Sequence, residues 1–306
     1  MNVSTERAAS SPGVPVGLEW YAGALARVNA AITTHLKKLE TSLGTHSRLG
    51  EAVRYSVALP GKRFRPVLLM ECCRCCGGVE VVALTAGIAV ECVHAFSLIH
   101  DDLPAMDDDD LRRGQPSNHK VFGEAMAILA GDWLATHAFA LLLEAYPAEL
   151  AASLGQALAA GALGMVEGQG ADVDGEERPT DATLVEYIHL HKTARLIEAT
   201  CRMGALCAGA DAAAREAVSD YGRHLGLAFQ ITDDLLDVTG STAALGKQVG
   251  KDAAAAKQTY PAAHGTEASR RRAHEEVAAA LAAVDMFGER ADRLREMARY
   301  VIARDH

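Results

Sequence analysis

Apolar residues recur every three to four positions over most of the chain, which is the spacing of one helix face. This pattern predicts helices over residues 18–43, 64–76, 81–100, 121–145, 151–170, 181–208 and 212–239, with one or two closing helices over 268–304. Pro66 stands at a helix start, where its missing N–H costs nothing. Residues 81–100 are apolar on every side, with Glu91 and His94 embedded. Such a helix belongs at the centre of a bundle. Polar breaks fall at 101–118, 171–180 and 241–260, the second ending in Pro179 and then Thr180 or Asp181 as an N-cap. No strand pattern, internal repeat or mid-chain linker is visible. The fold class expected is all-α: one large helical domain of about ten or more helices over residues 18–306, behind a disordered N-terminal tail, residues 1–17.

Composition narrows this further. Of 306 residues, 49% are hydrophobic and 23% charged, which excludes disorder as a description of the whole chain. Aromatics at 5% and nine prolines disfavour an all-β fold. A net charge of −10 argues against nucleic acid as a partner. The first 17 residues lack the apolar stretch of a secretory signal. The nearest candidate for a membrane span, residues 150–166, is mostly Ala and Gly and carries Ser153 and Gln156, so it reads as a buried helix. With seven cysteines, an odd number, in apolar helical sequence, the expected compartment is the cytosol. Cys72, Cys73, Cys75 and Cys76 contain two C-x-x-C spacings and raise a zinc or redox role. No second ligand pair follows at zinc-finger distance, and Cys also serves as a small buried hydrophobe.

Two acidic clusters dominate the chemistry. HDDLPAMDDDDLRRG (100–114) places Asp101, Asp102 and Asp107 at the end of the most apolar helix. DDLLD places Asp233, Asp234 and Asp237 in another apolar helix, with Asp233 and Asp237 on one face. Neighbouring carboxylates in apolar surroundings repel one another and need a cation. Hard oxygen donors in small number suit magnesium with retained waters and a phosphate ligand. Asp108, Asp109 and Asp110 alone read better as a solvated loop. Calcium loops fail on spacing: counted from Asp107, position six is Arg112 and position twelve Asn118, and counted from Asp172, position twelve is Thr183.

Basic residues stand beside both clusters: Lys62, Arg63 and Arg65 in GKRFRP, Arg112 and Arg113, Lys192 in HKTARLIEA, then Lys247, Lys251 and Lys257. Arg grips phosphate as a planar fork and Lys as a point charge. Together they suggest a metal-bridged anion such as a diphosphate, against surface charge pairing as the rival for each residue singly. P-loop, dinucleotide-binding, serine-hydrolase and zincin motifs are all missing.

With these motifs, the chain resembles the trans-isoprenyl diphosphate synthases (polyprenyl synthetases), nearest the bacterial farnesyl and geranylgeranyl diphosphate synthases. DDLPAMDDDDLRRG is similar to the family's first aspartate-rich motif in its bacterial form, and GLAFQITDDLLDVTG to its second. GKRFRP, ECVHAFSLIHDD, AILAGD, GMVEGQ, HKTARLI and the stretch from LGK to KDAAAAKQTYP are similar to further signatures, and the resemblance runs from about Leu18 to the terminal YVIARDH. The resemblance implies helices around a deep central cavity, a homodimer, and about three Mg2+ ions held by Asp101, Asp107 and Asp233. Asp102, Asp234 and Asp237 would support them. It implies that Arg112, Lys192, Lys247 and, more weakly, Lys257 grip an allylic diphosphate, and that Lys62, Arg65, His94 and Arg113 hold isopentenyl diphosphate. Thr193 and Gln230 would offer oxygens to a developing carbocation. A lone His in an apolar helix is more often a core residue; His94 lies seven residues from Asp101, on roughly the same face and about 10 Å away.

Chain growth is expected to run from Asp101 back along its helix. Phe96, about 7.5 Å before it, can act as a floor beside the small Ser97. In the family an aromatic here goes with farnesyl diphosphate; geranylgeranyl diphosphate is the alternative product. Trp133 and His137 stand where smaller or more apolar residues are commoner, and Glu167 and Ala194 replace frequent glycines. A terpene cyclase and a silent regulatory subunit are the rivals. The first needs a second motif of the N-D-x-x-S-x-x-x-E kind, and the second is expected to lose the aspartates or the basic GKRFRP.

Overall fold

A computed structural model describes residues 14–15, 17–44, 47–176, 178–239 and 258–304. The helices are α1 (Tyr21–Leu43), α2 (Arg48–Ala58), α3 (Phe64–Cys75), α4 (Glu80–Asp101), α5 (Asn118–Phe122), α6 (Glu124–Ala145), α7 (Ala148–Gly175), α8 (Ala182–Ile188), α9 (Arg195–Cys207), α10 (Ala212–Thr239), α11 (Tyr260–His264), α12 (Thr266–Ala283) and α13 (Asp292–Ala303). A π-helical turn, His189–Ala194, joins α8 to α9, and a 3-10 segment, Asp285–Ala291, precedes α13. The fold is all-α, as the periodicity demands. Residues 1–13 of the expected tail, and most of the 241–260 break, lie outside the described residues.

The differences from the sequence reading have local causes. Helix α2 fills a stretch left unassigned and is capped by Ser47, whose side chain accepts from Gly50 N. The expected 121–145 helix divides at Gly123, whose φ of 85° ends α5. Helix α7 runs to Gly175, past the expected stop at 170, because Asp172 is buried against Lys192. Asp181 does cap α8, accepting from Thr183 N. Among the described residues there is one strand pair, Leu111–Arg112 with Gln115–Pro116, too short to leave a period-two signature. Gly288, at φ 56° and ψ −137°, breaks the closing helices.

Helix α4 lies at the centre of the bundle, packed on α3 and α6 with α1, α2 and α9 around them. Its apolar surface goes into one large core that also takes Val28 of α1, Leu68 and Met70 of α3, Leu134 of α6, Met203 of α9 and Leu225 of α10. By length and composition alone, α4, α6 and α7 could each cross a membrane. This corrects the reading of residues 150–166 as the nearest candidate, since α4 and α6 are the more apolar helices. Cys72, Cys73 and Cys75 are fully buried, and burial pushes the Cys73, Cys75 and Cys76 thiols up to about 12. Protonated thiols are poor metal ligands and poor nucleophiles, so the four cysteines of α3 read as core filling.

One buried ion pair pins the entry to α3. Arg63 has φ 48°, a left-handed conformation that disfavours a side chain. Its guanidinium donates to Glu91 Oε1 on α4 (2.6 Å), Val57 O (2.9 Å) and Leu59 O (2.7 Å). Both partners are almost wholly buried, so removing one leaves an uncompensated charge. Arg63→Met is expected to lower the unfolding free energy by about 3–5 kcal/mol, measured by urea denaturation. Adding Glu91→Met should recover part of that loss. A double variant less stable than Arg63→Met would mean that the carbonyl bonds, and not the ion pair, hold the turn.

Candidate active site

The first acidic cluster folds back on the end of α4. Asp102 caps the helix through Leu98 O (3.2 Å), and the following turn returns Asp107 N to Asp101 O (2.9 Å) and Asp109 N to Asp102 O (3.2 Å). Asp101 and Asp107, six apart in sequence, therefore become neighbours. Both stand at the negative end of the α4 dipole, where a carboxylate is disfavoured. Asp101 is pushed up to about 6, first by burial and then by Asp107 and Asp102, with Lys192 and Arg112 opposing.

The short hairpin after this turn carries two arginines. Arg113 (φ 53°) and Gly114 (φ 76°) form its two-residue loop, a type I′ arrangement. Arg112 Nε donates to the buried Asp102 at 2.9 and 3.2 Å, and its Nη2 reaches the same carboxylate and Asp109. Arg113 lies flat on Gly61, where a Cβ would come within 2.6 Å of its guanidinium, and its Nη2 stands 3.9 Å from Glu91. A cavity of about 20 Å³, room for about one water, lies among Glu91, Asp102, Arg112 and Arg113.

The basic residues of GKRFRP divide their work. Arg63 is consumed by the structural pair with Glu91. Arg65 is pushed down to about 10 by burial and by Arg113, against Glu91 and Asp233, and its Nε is buried with no hydrogen-bond partner. Lys62 Nζ donates to Tyr300 Oη of α13 at 3.1 Å. His94 is held far below the usual histidine range by burial and then by Arg65, Arg113, Arg112 and Arg63, so it is neutral at pH 7.

The second cluster occupies the last turns of α10, again at a negative helix end. Asp234 is buried and engaged on both oxygens: Gln230 Nε2 donates to Oδ1 (3.0 Å), and Tyr260 N (2.7 Å) and His189 Nε2 (3.0 Å) meet Oδ2. Thr193 Oγ1 donates to Gln230 Oε1 at 2.7 Å. Asp233 is more open, and Arg304 Nη2 stands 2.7 Å from it. The π-helical turn links this cluster to the first. Its Thr193 holds Gln230, while Lys192 bonds Asp172 at 2.5 Å and acts on Asp101. Gly168 of α7 makes room, since a Cβ there would meet Lys192 N at 2.1 Å. One belt of polar and basic groups thus runs from Asp101 through Lys192 and Gln230 to Asp234, and Arg65 bears on Asp233 from the other side.

Asp101, Asp107, Arg112, Lys192, Thr193, Gln230 and Asp233 fall along this belt, Arg65, His94 and Arg113 stand beside it, and Lys62 is set against Tyr300 of α13. Lys247, Lys251 and Lys257 lie outside the described residues. Phe96 and Ser97 lie on α4. The Phe96 ring meets His100 edge-on at 5.6 Å, Ser97 Oγ bonds His94 O, and His100 in turn bonds Ile128 O of α6 across Gly131. Trp133 stacks on His137 at 4.3 Å, and His137 Nε2 lies 3.1 Å from His35 Nε2, so the two flagged rings are turned to α1. Sequence reasoning missed His189, Asp172, Tyr300 and Arg304. Their partners are 20 to 238 residues away, and no local spacing marks such contacts. A separate groove of about 550 Å³ lies between α7 and α9 and includes Arg195, Arg202 and Arg215.

The raised Asp101 carboxyl makes the metal-free protein pH-dependent. Between its ordinary 3.8 and about 6 the folded form holds a proton that the unfolded chain has lost, so stability rises as pH falls from about 7 to about 5. The expected gain over that window is about 1.3 kcal/mol, read by denaturation in EDTA. Asp101→Asn should flatten that slope, and an equal slope in the variant would assign the effect to other groups.

Comparison with known proteins agrees with this geometry. Residues 46–297 match the family described as polyprenyl synthetase. A farnesyl diphosphate synthase of Geobacillus stearothermophilus is 46% identical over 77% of this chain and 80% of its own. Geranylgeranyl pyrophosphate synthase 7 of Arabidopsis thaliana is 47% identical over 75% of this chain and 68% of its own. Among solved structures, a geranyltransferase from Helicobacter pylori, complexed with magnesium and isoprenyl diphosphate, superposes with a TM-score of 0.80. It is 31% identical, over 97% of this chain and 98% of that one. With the family match spanning most of its length, and both aspartate clusters carried on an all-α bundle, this chain belongs to the polyprenyl synthetase family.

Proposed function

We propose that the protein is a trans-prenyltransferase that condenses isopentenyl diphosphate head-to-tail with dimethylallyl or geranyl diphosphate, with farnesyl diphosphate as its product. The observation that carries this reading is the belt of fixed cations between two carboxylate sets, each at the negative end of a helix. Magnesium suits Asp101, Asp107 and Asp233, an all-oxygen donor set, and a dication would stabilise the charged form of Asp101, which burial first and then Asp107 and Asp102 disfavour. About three ions is the number implied by the resemblance; bound there, they would supply Lewis-acid stabilisation of the leaving diphosphate.

Arg112 and Lys192 grip the allylic diphosphate from positions held by Asp102 and Asp172, so their charges need little reorganisation. By resemblance Lys247 and Lys257 join them. Lys62, Arg65, His94 and Arg113 take the isopentenyl diphosphate; the unpartnered Nε of Arg65 and the neutral His94 both suit an anion that needs hydrogen bonds as well as charge. The allylic C–O bond breaks and diphosphate leaves with the electron pair. The isopentenyl double bond attacks the cation, a C–C bond forms, and a proton passes from the adjacent carbon to the released diphosphate. Thr193 and Gln230, locked to each other, offer oxygens to the cation. Apolar walls exclude the water that would quench it.

The Phe96 ring, on the α4 face that meets α6, supports a fifteen-carbon limit; likeness to the Arabidopsis synthase keeps geranylgeranyl diphosphate as the alternative. The second D-D-x-x-D cluster and the intact GKRFRP weigh against a cyclase and a silent subunit. Exposed Ile128, Leu129 and Leu143 on α6, with Leu163, Val166 and Val173 on α7, support a homodimer formed through these helices; light scattering that returns the mass of one chain would remove it. Seven unpaired cysteines support a cytosolic location, which a fractionation assay tests.

The deciding assay supplies isopentenyl diphosphate with each allylic primer and magnesium, and reads chain length after dephosphorylation. Farnesol is the expected product. Asp101→Ala and Asp233→Ala should each lower turnover by orders of magnitude while folding survives, and unchanged turnover would take that aspartate out of the site. Phe96→Ala should lengthen the product; an unaltered distribution would leave Phe96 as core filling.

A further inference from the structure

The turn that carries the first acidic motif holds a second group of possible ligands, outside the set just described. Asp108, Asp110 and His119 each offer one ligand atom, and the three atoms lie within 4.8 Å of one another. Asp108 and Asp110 are exposed, which alone would mark nothing. His119 differs. It is 94% buried by accessible surface (6% exposed), its Nδ1 is engaged by Ser117 Oγ at 3.1 Å, and its Nε2 is buried with no hydrogen-bond partner. A buried polar atom without a partner is destabilising, which points to a ligand that completes it. His119 brings a ring nitrogen to the group; with Ser117 Oγ on Nδ1, Nε2 is the nitrogen without a partner, and a metal bound there would have its imidazole oriented from the other side.

We propose that Asp108, Asp110 and His119 form a second divalent-cation site, selective for a first-row transition ion such as Mn2+ over Mg2+. One imidazole and two carboxylates are a mixed N/O set, which ranks transition ions above magnesium, whereas the catalytic aspartates are oxygen alone. Lys120 is a competing cation: its Nζ lies 2.6 Å from Asp110 Oδ1, and its side chain is 42% exposed, so it can exchange that contact for solvent. A bound ion ties residues 108–110 to the start of α5. The hairpin between these two points carries Arg112 and Arg113, so the ion stiffens the mount of both. The site does not rest on the assignment of Asp101, Asp107 and Asp233.

The test loads magnesium-free protein with Mn2+ and reads 14N modulation by pulsed electron paramagnetic resonance, with Mn2+ affinity measured by titration. The wild type should show a nitrogen ligand, His119→Gln should lose it, and Asp108→Asn should weaken that site by about tenfold or more. Lys120→Met should tighten it. Asp101→Asn combined with Asp233→Asn should leave the nitrogen signal in place. No nitrogen signal in the wild type, its persistence in a folded His119→Gln variant, or its loss in the Asp101/Asp233 double variant would each overturn the proposal. If His119→Gln fails to fold, the exposed Asp108→Asn decides, and an unchanged Mn2+ affinity there sinks the site.

Discussion

Two helices end in carboxylates, and that is the constraint on which the remaining structure depends. The macrodipole leaves a partial negative charge at the C-terminus of a helix. Asp101 ends α4, and Asp233, Asp234 and Asp237 lie in the last turns of α10. Neither place would suit an acid chosen for stability. The bundle tolerates both because other elements bring cations to them: the hairpin supplies Arg112, the π-helical turn supplies Lys192, and the end of α13 brings Arg304. Negative potential gathered in this way is unfavourable for folding and favourable for a site that must hold metal cations.

The scaffold answers with a second tier of acids, each engaged by a donor of its own. Glu91 anchors Arg63, Asp102 anchors Arg112, Asp172 anchors Lys192, and Asp234 anchors Gln230 and His189. Each member of this tier is almost wholly buried. Their work is to fix where donors point, so that groups facing a substrate do not have to search for their positions. Within the second acidic cluster the division is visible residue by residue: Asp234 turns inward to hydrogen-bond donors, and Asp233 stands more open.

This division explains what could be read in the amino-acid order. The long helices were legible because each must bury an apolar face, and a face has a period. The acidic clusters were legible because carboxylates embedded in apolar helices contradict that rule. The anchoring contacts were not. Lys62 counts toward a cationic set by proximity to GKRFRP, but nothing near it announces Tyr300; the pairing of Lys192 with Asp172 likewise crosses from one helix to another. Arg63 looked like one more substrate-facing cation, and only the fold shows it spent on Glu91 and two carbonyls. The two-residue strands escaped notice because so short a ladder has no alternation to see.

The wide turn His189–Ala194 has a consequence for helix phase. A single added residue rotates one end of a helix about 100° relative to the other. Before the turn, Val185 of α8 packs with Ile231, Leu235, Tyr260 and Ala273 in a small cluster of its own. After it, Leu196, Ile197, Cys201 and Met203 of α9 point into the main core. One uninterrupted α-helix could not address both bodies at once. The bulge therefore acts as a gear between two packing registers, and it sets Lys192 and Thr193 at the point where the registers change.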